Sequence, residues 1–372
     1  MPAGSFTVGG QTFTNLPAFC RVVVVATPNP DSHIGLEVWM PAAGWNQRYQ
    51  QSGNGGFAGA IPYGSIASAL RLGYAAAGTD DGHIGGTATF APGHHQQVID
   101  FGFRALKETT DKSKAVIAAF YGSGPARSYF VGCSVGGREA LMEAQRFPED
   151  FDGISAGAPA NDWTHLFTGF IWNEQALFAD AASLVPAAKL PAIQRAALAQ
   201  CDKLDGIEDG DVSFADNTTA GTINSTDPDL SRFKAHGGKL IEWHGWDDPA
   251  IAPRNAINYF ESVVAAQSRG EDEGRLETTK NFFRLFLAPG VLHCGGGPGP
   301  NVFDTLSPLV EWVEQGTAPE RIVATKFAGD NPANGVLMTR PLCAFPKFAE
   351  HKGKGSTNDA ANFICRARDD ED

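Results

Sequence analysis

Short apolar, β-branched runs alternate along this chain with longer segments whose apolar positions recur every three to four residues. Arg21-Val22-Val23-Val24-Val25-Ala26 and Gly35-Leu36-Glu37-Val38-Trp39-Met40 read as strands parted by the turn formers Pro28-Asn29-Pro30-Asp31-Ser32, which makes 5–50 a β-rich entry. Residues 72–80 read as a buried strand. Val98, Phe101, Leu106, Val116, Ile117 and Phe120 fall at helical spacing and predict one or two helices over 98–120. Ser128-Tyr129-Phe130-Val131 predicts a buried strand, and the helix formers of 137–146 predict a helix that stops at Phe147-Pro148. A short strand and turn at 151–160 and strands at 238–245 and 282–292 complete the alternation. Strands that alternate with helices predict an α/β fold with a mostly parallel sheet covered on both faces.

The pattern changes over 161–228. Trp163, Phe167, Phe170, Ile171, Trp172 and Phe178 crowd one segment, and an alanine-rich helix is predicted around 186–200. This predicts a lid inserted into a catalytic domain of 1–160 and 229–372. Its aromatics suit either substrate stacking or the small core of the lid itself.

Candidate chemistry centres on Gly132-Cys133-Ser134-Val135-Gly136, which fits G-x-S-x-G with strand before and helix after. The glycines at 132 and 136 suit a strained turn lying close to neighbouring backbone. Residues 50–59, with Gly55 and Gly56, read as an oxyanion loop or as a plain glycine turn. His83 reads either as a site residue or as a loop histidine satisfied by nearby carboxylates, and the second is favoured. Asp248 follows a strand near the C-terminal part of the sheet, and His293 follows the next. Ser134, Asp248 and His293 therefore stand in the chain order of an α/β-hydrolase triad, although alone each has a structural reading as turn former or packed core residue. Asp202, Asp205 and Asp209, interleaved with Gly206 and Gly210, suit an oxygen-ligand loop for Ca²⁺ or a solvated acidic turn.

Composition narrows the classes. A hydrophobic share of 42% in 372 residues suits a large core, and a formal net charge of −13 disfavours nucleic acid and anionic membranes as partners. No run of apolar residues is long enough to span a bilayer, and residues 1–20 have no signal-peptide pattern. Asn217-Thr218-Thr219 and Asn224-Ser225-Thr226 fit the glycosylation sequon. Six cysteines leave many pairings open, and none forms C-x-x-C. Two of them flank the candidate chemistry: Cys133 precedes the serine and Cys294 follows the histidine. A disulfide between them would lock the two loops together.

Taken together these motifs resemble the tannase and feruloyl esterase family, which includes mono(2-hydroxyethyl) terephthalate hydrolase. The resemblance rests on the elbow run through Arg138, on Gln145-Arg146-Phe147-Pro148-Glu149-Asp150-Phe151-Asp152-Gly153 and on Ala156-Gly157-Ala158-Pro159-Ala160. It extends to the acidic loop, His244-Gly245-x-x-Asp248, Pro289-Gly290-x-x-His293-Cys294-Gly295-Gly296-Gly297, and the segments ending at Cys343 and Cys365.

The resemblance implies an α/β-hydrolase with a lid and a Ser134-Asp248-His293 triad in which Asp248, not Asp247, is the acid. It implies oxyanion donors from Val135 and from Gly55 or Gly56, with Ile251 facing an acyl pocket. It further implies the disulfides Cys133–Cys294 and Cys343–Cys365, and structural Ca²⁺ held by Asp202, Asp205 and Asp209 with the carbonyls of Ile207 and Asp211. Such enzymes are typically secreted and cleave hydroxycinnamic or gallic esters, so the expected partner is a small aromatic ester, free or linked to a plant polymer. No organic cofactor, nucleic acid or membrane is expected, and the compartment is extracellular or periplasmic.

The chain departs from the family in having only a short polar stretch, about 212–228, after the acidic loop. The expected lid is therefore shortened, with looser selectivity, and Cys20 and Cys201 are expected free and buried. A serine peptidase using the same triad and a catalytically impaired calcium-binding scaffold are the alternatives.

Overall fold

A computed structural model describes residues 1–179, 220–267 and 272–367. Two compact units emerge, Met1–Asn161 with Ser225–Asp372, and Asp162–Asn224.

The larger unit is built on one eight-stranded sheet. Its strands are β3 (Phe19–Ala26), β4 (Ile34–Pro41), β5 (Arg48–Ser52), β6 (Ala75–Thr79), β7 (Arg127–Cys133), β8 (Gly153–Gly157), β9 (Lys239–Gly245) and β10 (Phe283–Ala288), in the order β10-β9-β8-β7-β5-β6-β4-β3. From β10 across to β6 every neighbouring pair is parallel, while β4 pairs antiparallel with both β6 and β3. The strands β6 and β8 are buried at every position, because helices cover both faces. One apolar layer joins the sheet to α1 (Tyr63–Arg71) and the helix Leu306–Gln315 through Ile66, Leu70, Leu309 and Trp312. The opposite layer joins it to α3 (Ala105–Tyr121), α4 (Val135–Arg146) and the helix Pro253–Ala266 through Leu106, Ile117, Leu141, Met142, Phe260 and Val263. This is the expected α/β-hydrolase architecture.

Several boundaries moved for local reasons. The strand predicted over 72–80 is shorter, because α1 continues through Arg71 and Gly73 turns the chain at φ 82° before β6 begins. Gln50, Gln51 and Ser52 belong to β5 rather than to a loop. They are buried, and Gln51 Oε1 accepts from the Tyr49 hydroxyl at 2.7 Å and from Thr110 at 2.8 Å. The helical run at 98–120 starts at His95 with α2 (His95–Ile99) and passes through one π-type turn, Asp100–Arg104, into α3. Small antiparallel pairs stand apart from the main sheet: β1 (Gly4–Val8) with β2 (Gln11–Leu16), β11 (Arg321–Phe327) with β12 (Val336–Cys343), and β13 (Phe348–His351) with β14 (Phe363–Arg366).

Cys343–Cys365 is present and ties β12 to β14 with Cα atoms 5.6 Å apart. Cys20 is a free thiol but only half-buried, a correction to the expected burial; it lies on β3, the edge strand of the sheet. Cys201, the predicted helix at 186–200 and the sequon at Asn217 lie outside the described residues.

In the smaller unit, α5 (Trp163–Phe178) carries the predicted aromatic run, with Trp163 and Phe167 packed at 4.5 Å between ring centroids. Asn224 clips the two ends of this unit together: its Oδ1 accepts the Thr164 N–H, and its Nδ2 donates to Asp162 and Thr164 at 2.9 and 3.0 Å. That amide nitrogen is thus engaged, which disfavours the second sequon.

Candidate active site

The site forms where three parallel strands end. Ser134 stands between β7 and α4 at φ 67° and ψ −120°, a strained conformation for a residue with a Cβ. Its neighbours must be glycine. A Cβ on Gly132 would land on the Gly136 carbonyl, and one on Gly136 would lie 2.8 Å from the Asn54 carbonyl oxygen. The N-terminus of α4 is thereby pressed against the segment after β5.

Asp248 lies in the turn after β9, and His293 lies in the turn after β10. Asp248 Oδ2 is 2.8 Å from His293 Nδ1, and His293 Nε2 is 2.8 Å from Ser134 Oγ. Two residues 159 apart in sequence and a third between them thus form one hydrogen-bonded chain. Cys133–Cys294 bridges the residues flanking this chain, with Cα atoms 6.0 Å apart.

Asp248 is held more firmly than the sequence suggested. Its Oδ1 accepts the N–H groups of Ala250 and Ile251 at 2.8 and 3.0 Å. His244 is fully buried; its Nε2 donates to the Ile251 carbonyl at 2.9 Å and lies 3.2 Å from Asp248 Oδ2. Burial alone would raise the Asp248 carboxyl. The bonds from His244, His293 and the two backbone N–H groups outweigh burial and hold it well below the usual carboxylate range. Sequence reasoning quoted His244 only as part of a motif; its place four residues before the acid was the available signal. Ile251 is 4% exposed, and its backbone braces the acid on one side and His244 on the other.

The predicted oxyanion donors lie on adjoining segments, joined by the Gly136 N–H bond to the Asn54 carbonyl. Val135 is the first residue of α4, and Gly55 and Gly56 follow Asn54. Among the described residues, none of these three N–H groups has a hydrogen-bond acceptor. Free N–H groups at a helix N-terminus and on an adjoining glycine turn suit a developing negative charge. Asn54 anchors that turn: its carbonyl accepts the Gly136 N–H at 2.9 Å, and its N–H donates to Glu139 Oε2 at 3.0 Å. His83 pairs through Nε2 with the Phe57 carbonyl at 2.5 Å and stacks on the Phe90 ring at 3.9 Å, not on carboxylates as expected, and its buried Nδ1 has no hydrogen-bond partner among the described residues. A cavity of about 330 Å³ opens beside the elbow, lined in part by Gly53, Asn54, Cys133, Ser155, Trp243 and Thr305.

The predicted metal ligands Asp202, Asp205, Ile207, Asp209 and Asp211 lie outside the described residues. Among the described residues, no group of three or more His, Cys, Asp or Glu side chains is arranged to hold a metal ion, and no helix is long and apolar enough to cross a membrane.

The chain matches the family model "Tannase and feruloyl esterase" over residues 20–220 and 213–366. An uncharacterised esterase of Xanthomonas campestris pv. campestris is 39% identical over 505 aligned positions, covering 98% of this chain and 87% of the relative. A probable feruloyl esterase of Arthroderma benhamiae is 30% identical, covering 90% and 84%. Among solved structures, feruloyl esterase B from Aspergillus oryzae superposes with a TM-score of 0.85 at 24% identity, over 98% of this chain and 95% of that one.

Proposed function

The chain belongs to the tannase and feruloyl esterase family and is a carboxylic ester hydrolase, and from that premise we propose that it cleaves aromatic esters through an acyl-enzyme on Ser134. The observation that carries the proposal is the hydrogen-bonded chain Ser134–His293–Asp248. His293 Nε2 takes the Ser134 proton as Oγ attacks the ester carbonyl, and ionised Asp248 stabilises the imidazolium. Val135 and Gly55 or Gly56 donate to the tetrahedral oxyanion. The imidazolium then protonates the departing alkoxide. Water, deprotonated by His293, releases the acid and regenerates Ser134.

The acyl group we propose is hydroxycinnamoyl, galloyl or terephthaloyl, the classes the family resemblance implies, with the Ile251 side chain facing it. A shortened lid belongs to the same reading. It is supported by a family match that comes in two segments meeting at 213–220, inside the predicted insertion. Structural Ca²⁺ belongs to it as well. The three carboxylates and two backbone carbonyls that the resemblance names would make an all-oxygen donor set suited to a hard cation, with a purely structural role. The two disulfides support a working place in an oxidising compartment outside the cytoplasm.

The deciding experiment is hydrolysis of methyl ferulate, methyl gallate and mono(2-hydroxyethyl) terephthalate beside Ser134→Ala. Turnover of at least one, lost in the variant, is expected. Turnover that survives in Ser134→Ala, or silence on every ester offered, overturns the mechanism. A melting scan of the same protein after chelation should show a lower transition restored by Ca²⁺; an unchanged transition removes the ion.

A further inference from the structure

Outside the triad, a cluster of buried ionisable groups stands behind the oxyanion turn. Asp81, Arg138 and Glu139 are all fully buried. The Arg138 guanidinium donates to the carbonyls of Phe101 and Gly102 at 2.9 Å each and lies 4.8 Å over the Phe101 ring. Glu139 Oε2 accepts the Asn54 N–H. Among the described residues no hydrogen bond of good geometry reaches Glu139 Oε1 or either oxygen of Asp81, and Asp81 lies close enough to the Glu139 carboxyl and the Asn54 amide to be shifted by both.

Two carboxylates are acceptors only, so neither can satisfy the other. Two adjacent charges at zero exposure beside a single guanidinium would also repel strongly. One proton shared by the pair removes both difficulties. Glu139 keeps the charge, because it accepts a backbone N–H, and Asp81 keeps the proton. Burial and then the Glu139 charge push the Asp81 carboxyl well above its ordinary range. Burial raises Glu139 as well, opposed by the bond from Asp81 and the charge of Arg138.

The position of the pair gives it a task. Asn54 is fixed on three sides: its N–H by Glu139, its carbonyl by the Gly136 N–H, and its Nδ2 by the Thr79 carbonyl at 3.0 Å. It is the last fixed point before Gly55 and Gly56. Asp81 closes the arrangement from the end of β6, in a left-handed conformation at φ 58° and with its N–H on Thr79 Oγ1 at 3.1 Å.

We propose that Asp81 and Glu139 form a buried carboxylic acid–carboxylate pair that positions the oxyanion turn, Asp81 donating its O–H to Glu139 and Glu139 holding the Asn54 N–H. The assignment rests on the reading of Gly55 and Gly56 as oxyanion donors. Both are positioning residues; neither touches substrate. The other charged groups around the pair are Arg138, Glu143 one turn along α4, Asp80 next in the chain, and the Asp100–Arg104 ion pair behind Gly82. Arg104 is already paired with Asp100, so it offers the pair no second positive charge. Loss of the shared proton at alkaline pH therefore sets two carboxylates against each other and loosens the hold on Asn54.

The test compares kcat, KM and melting temperature for the wild type, Glu139→Leu, Glu139→Gln and Asp81→Asn on an ester whose turnover Ser134→Ala abolishes. That control separates failure of the mechanism from failure of the pair. Glu139→Leu should lower kcat about 10- to 100-fold with KM within about threefold, a fraction of what losing a whole oxyanion donor costs. Glu139→Gln, which keeps an acceptor for Asn54 and gains a donor toward Asp81, should recover most of the loss. Asp81→Asn keeps a donor but has no proton to lose, so the alkaline fall of kcat expected of the wild type should be absent in it. A folded Glu139→Leu with wild-type kcat, or an Asp81→Asn alkaline limb matching the wild type, overturns the proposal. Where Glu139→Leu fails to fold, the pH profile of Asp81→Asn decides.

Discussion

Asp248 is the residue on which most of the site's polar geometry converges, since two backbone N–H groups and two histidines reach one carboxyl. Its lowered pKa keeps it ionised across any working range, so an acid-side loss of activity does not report its titration. The sign of its stability contribution follows. A carboxyl whose folded value is depressed stabilises the fold above its unfolded value of about 3.9, and the contribution is lost as pH falls through the depressed folded value. Asp248→Asn should therefore lower the melting temperature most at neutral pH, with the gap narrowing in strong acid. It should also cut kcat about 10⁴-fold, as neutralising a triad acid does elsewhere. A gap independent of pH would contradict this account. The triad was legible because its three residues sit in motifs. Glu139 and Asp81 were not, because a glutamate on a helix and an aspartate in a glycine turn read as solvated until packing buries them. The Phe57 carbonyl that engages His83 Nε2, 26 residues away in sequence, left no local trace, and neither did the Nδ1, unpartnered among the described residues.

Among the elements, the elbow was the most readable, because steric demand forces glycine at fixed offsets around the nucleophile. Gln50-Gln51-Ser52 was the least readable: these are buried strand residues, and the Gln51 amide oxygen is held by the Tyr49 and Thr110 hydroxyls, contacts with no trace in local composition. The small pairs β11–β12 and β13–β14 were also missed, because they lie outside the alternation of buried strands and helices. The disulfides separate the two kinds of element. Cys133–Cys294 joins the turn carrying the nucleophile to the turn carrying His293 and closes a separation of 161 residues. Cys343–Cys365 closes only 22, between β12 and β14. In the chain-entropy account the longer closure constrains the unfolded chain more. Cys133→Ser with Cys294→Ser should lower melting temperature and kcat together. Cys343→Ser with Cys365→Ser should lower melting temperature and leave kcat within about twofold. The lock is refuted if removing the first bridge leaves turnover unchanged.

For the whole molecule, buried acids set the direction of the pH dependence. Glu143 and Glu242 are fully buried, no donor among the described residues reaches either carboxyl, and burial pushes both well above the ordinary range. Asp80 is raised to about 6, chiefly by burial. A folded chain that holds protons the unfolded chain has released loses stability as pH rises, beginning near the unfolded glutamate value of about 4.3. Asp248, Glu314 and Glu320 act in the opposite sense, since their folded values are lowered and their contribution disappears in acid. Between these slopes the melting temperature should peak in mildly acidic solution, at about pH 4–5, and decline toward pH 9. A net charge of −13 adds self-repulsion in the same direction, but salt screens surface repulsion and hardly affects buried groups. The decline should therefore persist in about 0.5 M salt, roughly three times the ionic strength of a physiological buffer. Glu242→Gln, which cannot ionise, should raise the melting temperature more at pH 9 than at pH 5. Equal shifts at both values would show that Glu242 is not a source of the alkaline slope.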